Sequence, residues 1–390
     1  MKRPLGEVMR VKHGYAFGGG DFSEDPGLPT VVTPGNFRIG GGFQDARAKT
    51  FSGEIPSGYV LKPDELIITM TDLSKAADTL GSPALVPGDR VYLHNQRIGL
   101  VQITRPDRVD TKYLHYRLRL QDYRHHVVAT ASGTSVRHTS PGRLESFKTE
   151  LPPLPTQRAI AEILGALDDK IAANARVGSA ADGLVRDMFR QFLGLQEVRA
   201  IRDLATSVRT VARPPIEANS YVGLEHVPRR LMWLAEHGES VGLASGKFVF
   251  APDDVLFGKL RPYFHKVVVA DRAGVCSTDI LVLRPKEMHV RGYIWAALSS
   301  DALVQRVSAM VEGTRMPRTN WGDLAASQVP WPGDRAAADF SGRVVALRDR
   351  VSAATVESRH LATLRDTLLP HLMSGRLTVR DAEARVEAAL

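Results

Sequence analysis

One cysteine in 390 residues, Cys276, leaves no internal partner for a disulfide and too few thiolates for a metal cluster. Between Val275 and Ser277 it reads as a small buried hydrophobe of a chain in a reducing cytosol. No apolar run approaches the roughly 18 residues a membrane helix needs. The start Met1-Lys2-Arg3-Pro4-Leu5-Gly6-Glu7 lacks the apolar stretch of a secretory leader, so a cytoplasmic location is expected. Catalytic signatures are missing as well. Gly242-Leu243-Ala244-Ser245-Gly246-Lys247-Phe248 imitates a phosphate loop but is one residue short and has Phe248 where a magnesium-binding hydroxyl belongs. Asp107, Asp110 and Lys112 stand too close in sequence for nuclease carboxylates on neighbouring strands. Gly18-Gly19-Gly20 and Gly40-Gly41-Gly42 lack the spacing of a dinucleotide loop, and the adjacent His125 and His126 point to different sides. No Asn-Pro-Pro-Tyr-like element of adenine methylation occurs. No catalytic residue and no metal site is expected.

What is present belongs to a folded protein. Hydrophobic content of 43% and charged content of 24% support large cores, and the length suits two or three domains. The net charge is +8. Residues 1–150 hold 20 Lys and Arg against 16 Asp and Glu, and residues 196–332 hold 17 against 14. Residues 151–195 balance at 5 against 5, and 333–390 at 9 against 8. The basic excess therefore sits in two segments, which suits a polyanion partner without requiring one.

Those two segments are related. Gly133-Thr134-Ser135-Val136-Arg137 recurs as Gly313-Thr314-Arg315-Met316-Pro317, and Leu167-Asp168-Asp169-Lys170-Ile171 as Leu347-Arg348-Asp349-Arg350-Val351, both offset by 180 residues. Leu61 to Ile68 resembles Phe250 to Phe257. A period far beyond the roughly 20–50 residues of solenoids marks a duplicated domain.

Short apolar runs such as Leu66–Met70 and Ile98–Ile103, punctuated by Gly and Pro, predict a β-rich domain over 1–150 with a helix near Tyr113–Leu118. The prolines of Leu151-Pro152-Pro153-Leu154-Pro155 end it. A long helix follows over 151–195, with Thr156 as N-cap. Its seam runs Ile160, Leu164, Leu167, Ile171, Asn174, Gly178, Ala181, Val185, Met188, Phe192 in alternating steps of four and three, which is a heptad pattern that asks for a partner helix. After the second β-rich domain (196–332), the segment 333–377 repeats it: Phe340, Val344, Leu347, Val351, Ala354, Ser358, Leu361, then, one residue out of register, Leu364, Leu368 and Leu372. Pro370 bends or ends that helix near its C-terminus, Gly375 stops it, and 378–390 form a tail. The expected fold is α+β: two tandem β-rich domains, each followed by a long helix, the helices pairing as an antiparallel coiled coil with pseudo-two-fold symmetry. The first helix spans on the order of 50 Å. The alternative is that each helix only completes the core of its own domain. Two domains held apart about a two-fold axis are what a reader of separated DNA half-sites needs.

At this point the chain resembles the specificity subunit of type I restriction–modification systems. The resemblance is carried by Leu151-Pro152-Pro153-Leu154-Pro155-Thr156-Gln157-Arg158-Ala159-Ile160-Ala161-Glu162-Ile163-Leu164, by Leu167-Asp168-Asp169-Lys170-Ile171, and by Leu368-Leu369-Pro370-His371-Leu372-Met373-Ser374-Gly375-Arg376-Leu377. Gly14-Tyr15-Ala16-Phe17 and Gly258-Lys259-Leu260-Arg261-Pro262-Tyr263 are similar too. It implies two target-recognition domains that each read half of an asymmetric bipartite sequence in double-stranded DNA. It also implies a helical ruler that docks two methyltransferase subunits and a restriction subunit with translocase and nuclease activity. The subunit itself is then non-catalytic, and S-adenosylmethionine belongs to the methyltransferase. The second copy has Gly333-Asp334-Arg335-Ala336-Ala337-Ala338 where the first has Pro-Thr-Gln-Arg-Ala-Ile, so a partner contact at Gln157 would lack its symmetric counterpart. The alternative from another class is a scaffold or antagonist that docks methyltransferase without reading DNA.

Candidate DNA contacts are cationic, amide and hydroxyl side chains. Ser135, Arg137, His138 and Thr139 in the first copy match a segment offering Thr314, Arg315, Arg318 and Asn320 in the second; the alternative is a turn that closes each domain. Lys259, Arg261 and Tyr263 alternate as on one strand face, which a solvated strand would also explain. Asn36, Arg38, Arg229 and Arg230 complete the set.

Overall fold

A computed structural model of the chain describes residues 2–44, 49–74, 76–134, 136–216, 218, 220–311 and 316–388. The chain divides into two compact units, Met1–Asp169 with Leu361–Leu390, and Lys170–His360.

Unit 1 is built on an antiparallel sheet of β1 (Met9–His13), β2 (Leu66–Thr69), β3 (Pro83–Leu85) and β4 (Ile98–Ile103), in the order β1-β4-β2-β3. Successive side chains of β2 point to opposite faces. Leu66 and Ile68 join Leu114, Tyr123, Val127 and Leu144 of a helical layer. Ile67 joins Leu61, Tyr92 and Val32 of a second, five-stranded sheet. Both faces are covered, and β2 is buried along its whole length. Where β4 crosses β1, a Cβ on Gly99 would lie 2.4 Å from Val11 Cγ1, so only glycine fits.

Unit 2 repeats the plan with β5 (Ala205–Val208), β6 (Val255–Gly258), β7 (Val267–Val269) and β8 (Ile280–Pro285), in the order β5-β8-β6-β7. Val255 and Phe257 face the helices with Tyr293, Ile294 and Leu303. Leu256 faces a four-stranded second sheet with Val222, Phe250 and Cys276. Burial pushes the Cys276 thiol up to about 12, as for a buried hydrophobe.

The duplication extends to single hydrogen bonds. Asp64 and Asp253 both adopt the left-handed conformation, at φ +62° and +73°. In each turn the next carboxylate accepts from a backbone N–H three residues back: Glu65 from Lys62 and Asp254 from Ala251, both at 2.8 Å. Asp64 N–H donates to Val86 and Asp253 N–H to Ala270. These Xaa-Pro-Asp-acid turns fix the entry into β2 and β6.

Two long helices, α1 (Leu154–Arg190) and α2 (Asp334–Met373), each contribute to both units. In unit 2, Ala181, Val185 and Phe189 of α1 share a core with Ala337, Phe340, Val344 and Val351 of α2. Ile171, Met188 and Leu347 are half-buried along the same seam. Asn174 is not a flaw in it: its Nδ2 donates to Glu357 Oε2 at 2.7 Å. Asn174 meets Glu357, and Phe189 lies 6.1 Å from Phe340. Numbers rise on one helix as they fall on the other, so the pairing is antiparallel. In unit 1, Ile160, Leu164 and Leu167 are buried on α1, and Leu361, Leu368 and Leu372 on α2. There Asp168 pairs with Arg365 across the helices.

Some expectations are corrected. α1 begins at Leu154, and Gln157 N–H already bonds Pro153 O. Thr156 therefore lies in the first turn and is no N-cap; prolines are tolerated there because the first N–H groups have no helical acceptor. Phe192 lies just beyond the end of α1, yet packs 5.4 Å from Phe340. Gln157 faces inward and is fully buried, so it is no partner contact. The tail contains a helix, Val379–Glu387, with Ala382 and Val386 buried.

The helical layer of unit 1 buries His115, and desolvation with the Arg119 cation beside it brings its imidazole down to about 3. His94, buried in the second sheet, falls to about 4. With folded values below the ordinary 6.5, the unfolded chain takes up protons first as pH falls. Stability is complete above about pH 7 and is lost progressively toward pH 3–4. Between pH 7.5 and 5, each histidine is expected to cost about 2 kcal/mol. Urea midpoints at the two pH values measure this, and His115→Leu is expected to remove about half of the loss that these two histidines cause.

Candidate nucleic-acid interface

In unit 2 the chain leaves β6 at Gly258 and is stitched to the duplicated loop. Lys259 N–H donates to Asp279 O at 2.8 Å, Thr319 N–H to Lys259 O at 3.1 Å, and Arg261 N–H to Pro317 O at 2.8 Å. Leu260 stands opposite Arg318. Two segments 58 residues apart, counted from Leu260 to Arg318, thus form one edge. Arg261, Tyr263 and Arg318 are exposed on it. The Arg318 guanidinium lies 3.1 Å from Asp279 Oδ1. Arg229 lies 3.9 Å over the Phe264 ring, which also adjoins Tyr263 and Arg261. Desolvation holds the Lys259 ammonium below its usual value; Asp279 raises it, and the cations Arg209 and Arg318 lower it further. Lys259 Nζ itself donates to Thr278 O at 2.5 Å.

Unit 1 has the same backbone frame. Met70 N–H donates to Arg97 O at 2.8 Å and Thr139 N–H to Met70 O at 3.0 Å. Arg137 and His138 pair with Asp72 and Thr71. Matching hydrogen bonds equate Met70 with Lys259, Arg97 with Asp279, and Thr139 with Thr319; matching registers equate Thr71 with Leu260, Asp72 with Arg261, and His138 with Arg318. The side chains differ at nearly every position. His138 Nδ1 is 3.1 Å from Thr71 Oγ1, and Arg97 is exposed. Asp72 turns inward and accepts from Ser74 and Thr79 N–H groups at 2.6 Å. Burial raises its carboxyl, but these bonds outweigh that and hold it below the ordinary value.

Several sequence candidates lie elsewhere. Asn36 is fully buried, its Oδ1 accepting from Thr33 N–H at 2.8 Å and its Nδ2 donating to Gln44 O, which puts it out of reach of a duplex. Thr139 is buried too. Asn320 caps the helix Trp321–Ala326, accepting from Asp323 N–H at 3.1 Å. Arg230 is committed to Asp301 at 2.9 Å. Lys259, Arg261 and Tyr263 do not alternate on a strand: β6 ends at Gly258, Arg261 has φ +49°, and Pro262–Phe264 is a 3-10 turn. The turn nevertheless gathers them beside Arg318. Arg38 is exposed in the turn closed by its N–H to Gly42 O, and Arg137 is half-buried. Ser135, Thr314 and Arg315 fall outside the described residues. Missed by the sequence reading were Arg97, Asp279 and Arg209; aligning the residue before β4 with that before β8 would have found the first two.

Among the described residues no group of three or more His, Cys, Asp or Glu is placed to hold a metal ion, and no helix is long and apolar enough to cross a membrane. Lys247 of the loop that imitates a phosphate site is buried against Ser245.

A twice-built β-rich frame, each copy followed by a long helix and presenting the same backbone edge with different side chains, defines a class of tandem duplicated-domain folds. Residues 1–178 match the family model described as type I restriction modification DNA specificity domain. Over 164 residues the chain is 27% identical to the type I restriction enzyme EcoBI specificity subunit of Escherichia coli, covering 42% of this chain and 31% of that one. Over 92 residues it is 28% identical to the EcoDI specificity subunit of Escherichia coli, covering 23% and 20%. The matched stretch thus spans under a third of either relative. In fold, the chain is similar to the crystal structure of a type I restriction-modification S subunit from M. genitalium, with TM-score 0.57 at 13% identity over 95% of both chains. Residues 1–178 are thus similar to the type I restriction modification DNA specificity domain, and the chain shares the fold of a solved S subunit.

Proposed function

We propose that this chain is the DNA-reading subunit of a type I restriction–modification complex, each unit recognising one half of an asymmetric bipartite sequence in double-stranded DNA. One observation carries the reading: the two edges share their backbone hydrogen bonds and differ in their side chains, as two readers of different sequences require. Exposed Arg229, Arg261 and Arg318 beside Tyr263 supply charge for phosphates and forks for base edges. In this reading the long helices dock two methyltransferase subunits and the restriction subunit in the cytoplasm. S-adenosylmethionine is held by the methyltransferase, and this chain catalyses nothing.

The test is selection from a randomised duplex pool on the full chain, followed by titration at several salt concentrations. Recovery of a bipartite motif with a steep salt slope supports the proposal. Retention of methyltransferase without any sequence preference would make the chain a scaffold or antagonist instead. Arg261→Ala is expected to weaken binding to the selected duplex by about 1–3 kcal/mol, read by gel-shift titration.

A further inference from the structure

We propose that Arg318, braced by Asp279, is the specificity-determining residue through which unit 2 reads a guanine, and that His138 and Arg97 occupy the equivalent reading positions of unit 1. The inference rests on the chain being a DNA reader and goes on to say which residues set the sequence. The equivalence comes from the backbone. Met70 and Lys259 each donate to the residue just before the long strand of their sheet, Arg97 or Asp279, and each accepts from the threonine that follows the duplicated loop. His138 and Arg318 then stand at the same place, opposite Thr71 and Leu260.

At these matched places the chemistry is exchanged. Unit 1 has an exposed arginine at position 97 and a histidine at 138, whereas unit 2 has an aspartate at 279 and an arginine at 318. An ion pair needed only to hold the loop would have a counterpart in unit 1. There the same backbone bonds hold the loop beside a contact between His138 and the Thr71 hydroxyl, so the frame does not depend on the pair. What the pair does is orient the guanidinium. Asp279 engages Nη2 at 3.1 Å while the Arg318 side chain remains 53% exposed, leaving the rest of the planar fork to face outward. A fixed arginine fork matches the O6 and N7 acceptors of guanine, the commonest specific contact in the major groove. Lys259 is no rival, because its ammonium is turned to Thr278 O. His138, with one of its two ring nitrogens engaged by Thr71, does not supply such a fork.

The experiment replaces the chromosomal gene in the source cells and sequences the methylated motifs, with chain levels followed by immunoblot. A bipartite motif present with the wild-type gene and lost on deletion establishes the reading on which the inference rests; without such a motif both fall. Given the motif, Arg318→Ala is expected to relax one guanine position in one half-site. Preference there should drop from about 10–100-fold to near unity, with the other half unchanged. The double variant Asp279→Arg with Arg318→His, which installs the identities of unit 1, is expected to change the base preferred at that same position. An unchanged motif overturns the inference, as does relaxation at a position other than guanine or in both halves. So does complete loss of methylation in both variants at normal chain levels, because removing one base reader leaves the remaining contacts in place.

Discussion

Replacing Asp168 by alanine is expected to destabilise unit 1 by about 3–5 kcal/mol, the cost of removing one partner from a buried charge cluster. The Asp168 carboxylate sits on α1 where that helix, α2 and the helical layer of unit 1 converge. Tyr116 Oη donates to it at 2.7 Å, Arg119 Nη1 at 3.4 Å, and Arg365 Nη1 from α2. The two arginine side chains are only 8% and 14% exposed. Burial raises the Asp168 carboxyl, but Arg365 and Arg119 outweigh it and hold it below the ordinary carboxylate value. Its stabilisation is therefore complete above the unfolded value and disappears as pH falls through the folded one. Without the carboxylate, two nearly buried guanidiniums face each other with Asp366, 3.8 Å from Arg119, as the nearby counter-charge. Urea unfolding of the full chain at pH 7.5 reads the effect, with Asp168→Asn expected to lose less because it keeps volume and one acceptor. A loss under about 1 kcal/mol for the alanine variant would show that the cluster holds nothing together.

The same position in unit 2 carries the opposite charge. Arg348, at the 180-residue offset from Asp168, pairs with Asp253 at 2.7 Å and lies over the Trp295 ring. Each long helix is thus keyed to a β-rich domain by its own charge pattern, although the apolar seam repeats. That seam was legible because burial forces a period: Val185, Val344, Val351, Leu361 and Leu368 could be named from steps of four and three, including the register slip before Leu364. The sheets were not legible in the same way. Nothing local in Leu66–Thr69 says that Ile67 faces a second sheet while Leu66 and Ile68 face helices, since pairing partners lie tens of residues away.

The candidate edge was half legible. The recurrence of the loop at 133–139 and 313–319 singled out one of its two segments. Its partner in each unit arrives through sheet topology, so Arg97 and Asp279 went unseen. Lys259, Arg261 and Tyr263 were misread as a strand although Pro262 stands among them. A proline without an N–H argues against a paired strand interior, and the chain turns there, with Arg261 left-handed. Asn36 and Asn320 failed for a shared reason. Asparagine side chains satisfy local backbone groups as readily as they reach bases, and Asn320 has a carboxylate three residues on, which is a helix-start signal.

Gln157→Ala is expected to cost about 3–5 kcal/mol, and the reason bears on what the motif around it does. Gln157 is fully buried. Its Oε1 accepts from Asp110 N–H at 2.9 Å, and its Nε2 donates to Arg108 O at 2.9 Å and Pro152 O at 2.7 Å. Asp110 is the N-cap of the helix Thr111–Arg117, accepting from Tyr113 N–H. One amide therefore ties the proline exit, the first turn of α1 and the start of the helical layer together. Alanine strands three backbone groups in the interior, at roughly 1–3 kcal/mol for each unpaired group less whatever water recovers, and adds a cavity. Gln157→Met separates the two contributions, because it keeps most of the volume and none of the hydrogen bonds. If bonding dominates, methionine falls close to alanine in urea unfolding; if methionine stays within about 1 kcal/mol of the wild type, packing alone is at work. Gln157→Glu turns a carboxylate toward two carbonyl oxygens and is expected to be no better than alanine near neutral pH. At the 180-residue offset unit 2 has Ala337, also fully buried, so Ala337→Gln is expected to destabilise by overpacking, about 1–3 kcal/mol. The glutamine is then a brace that one copy uses and the other has no room for.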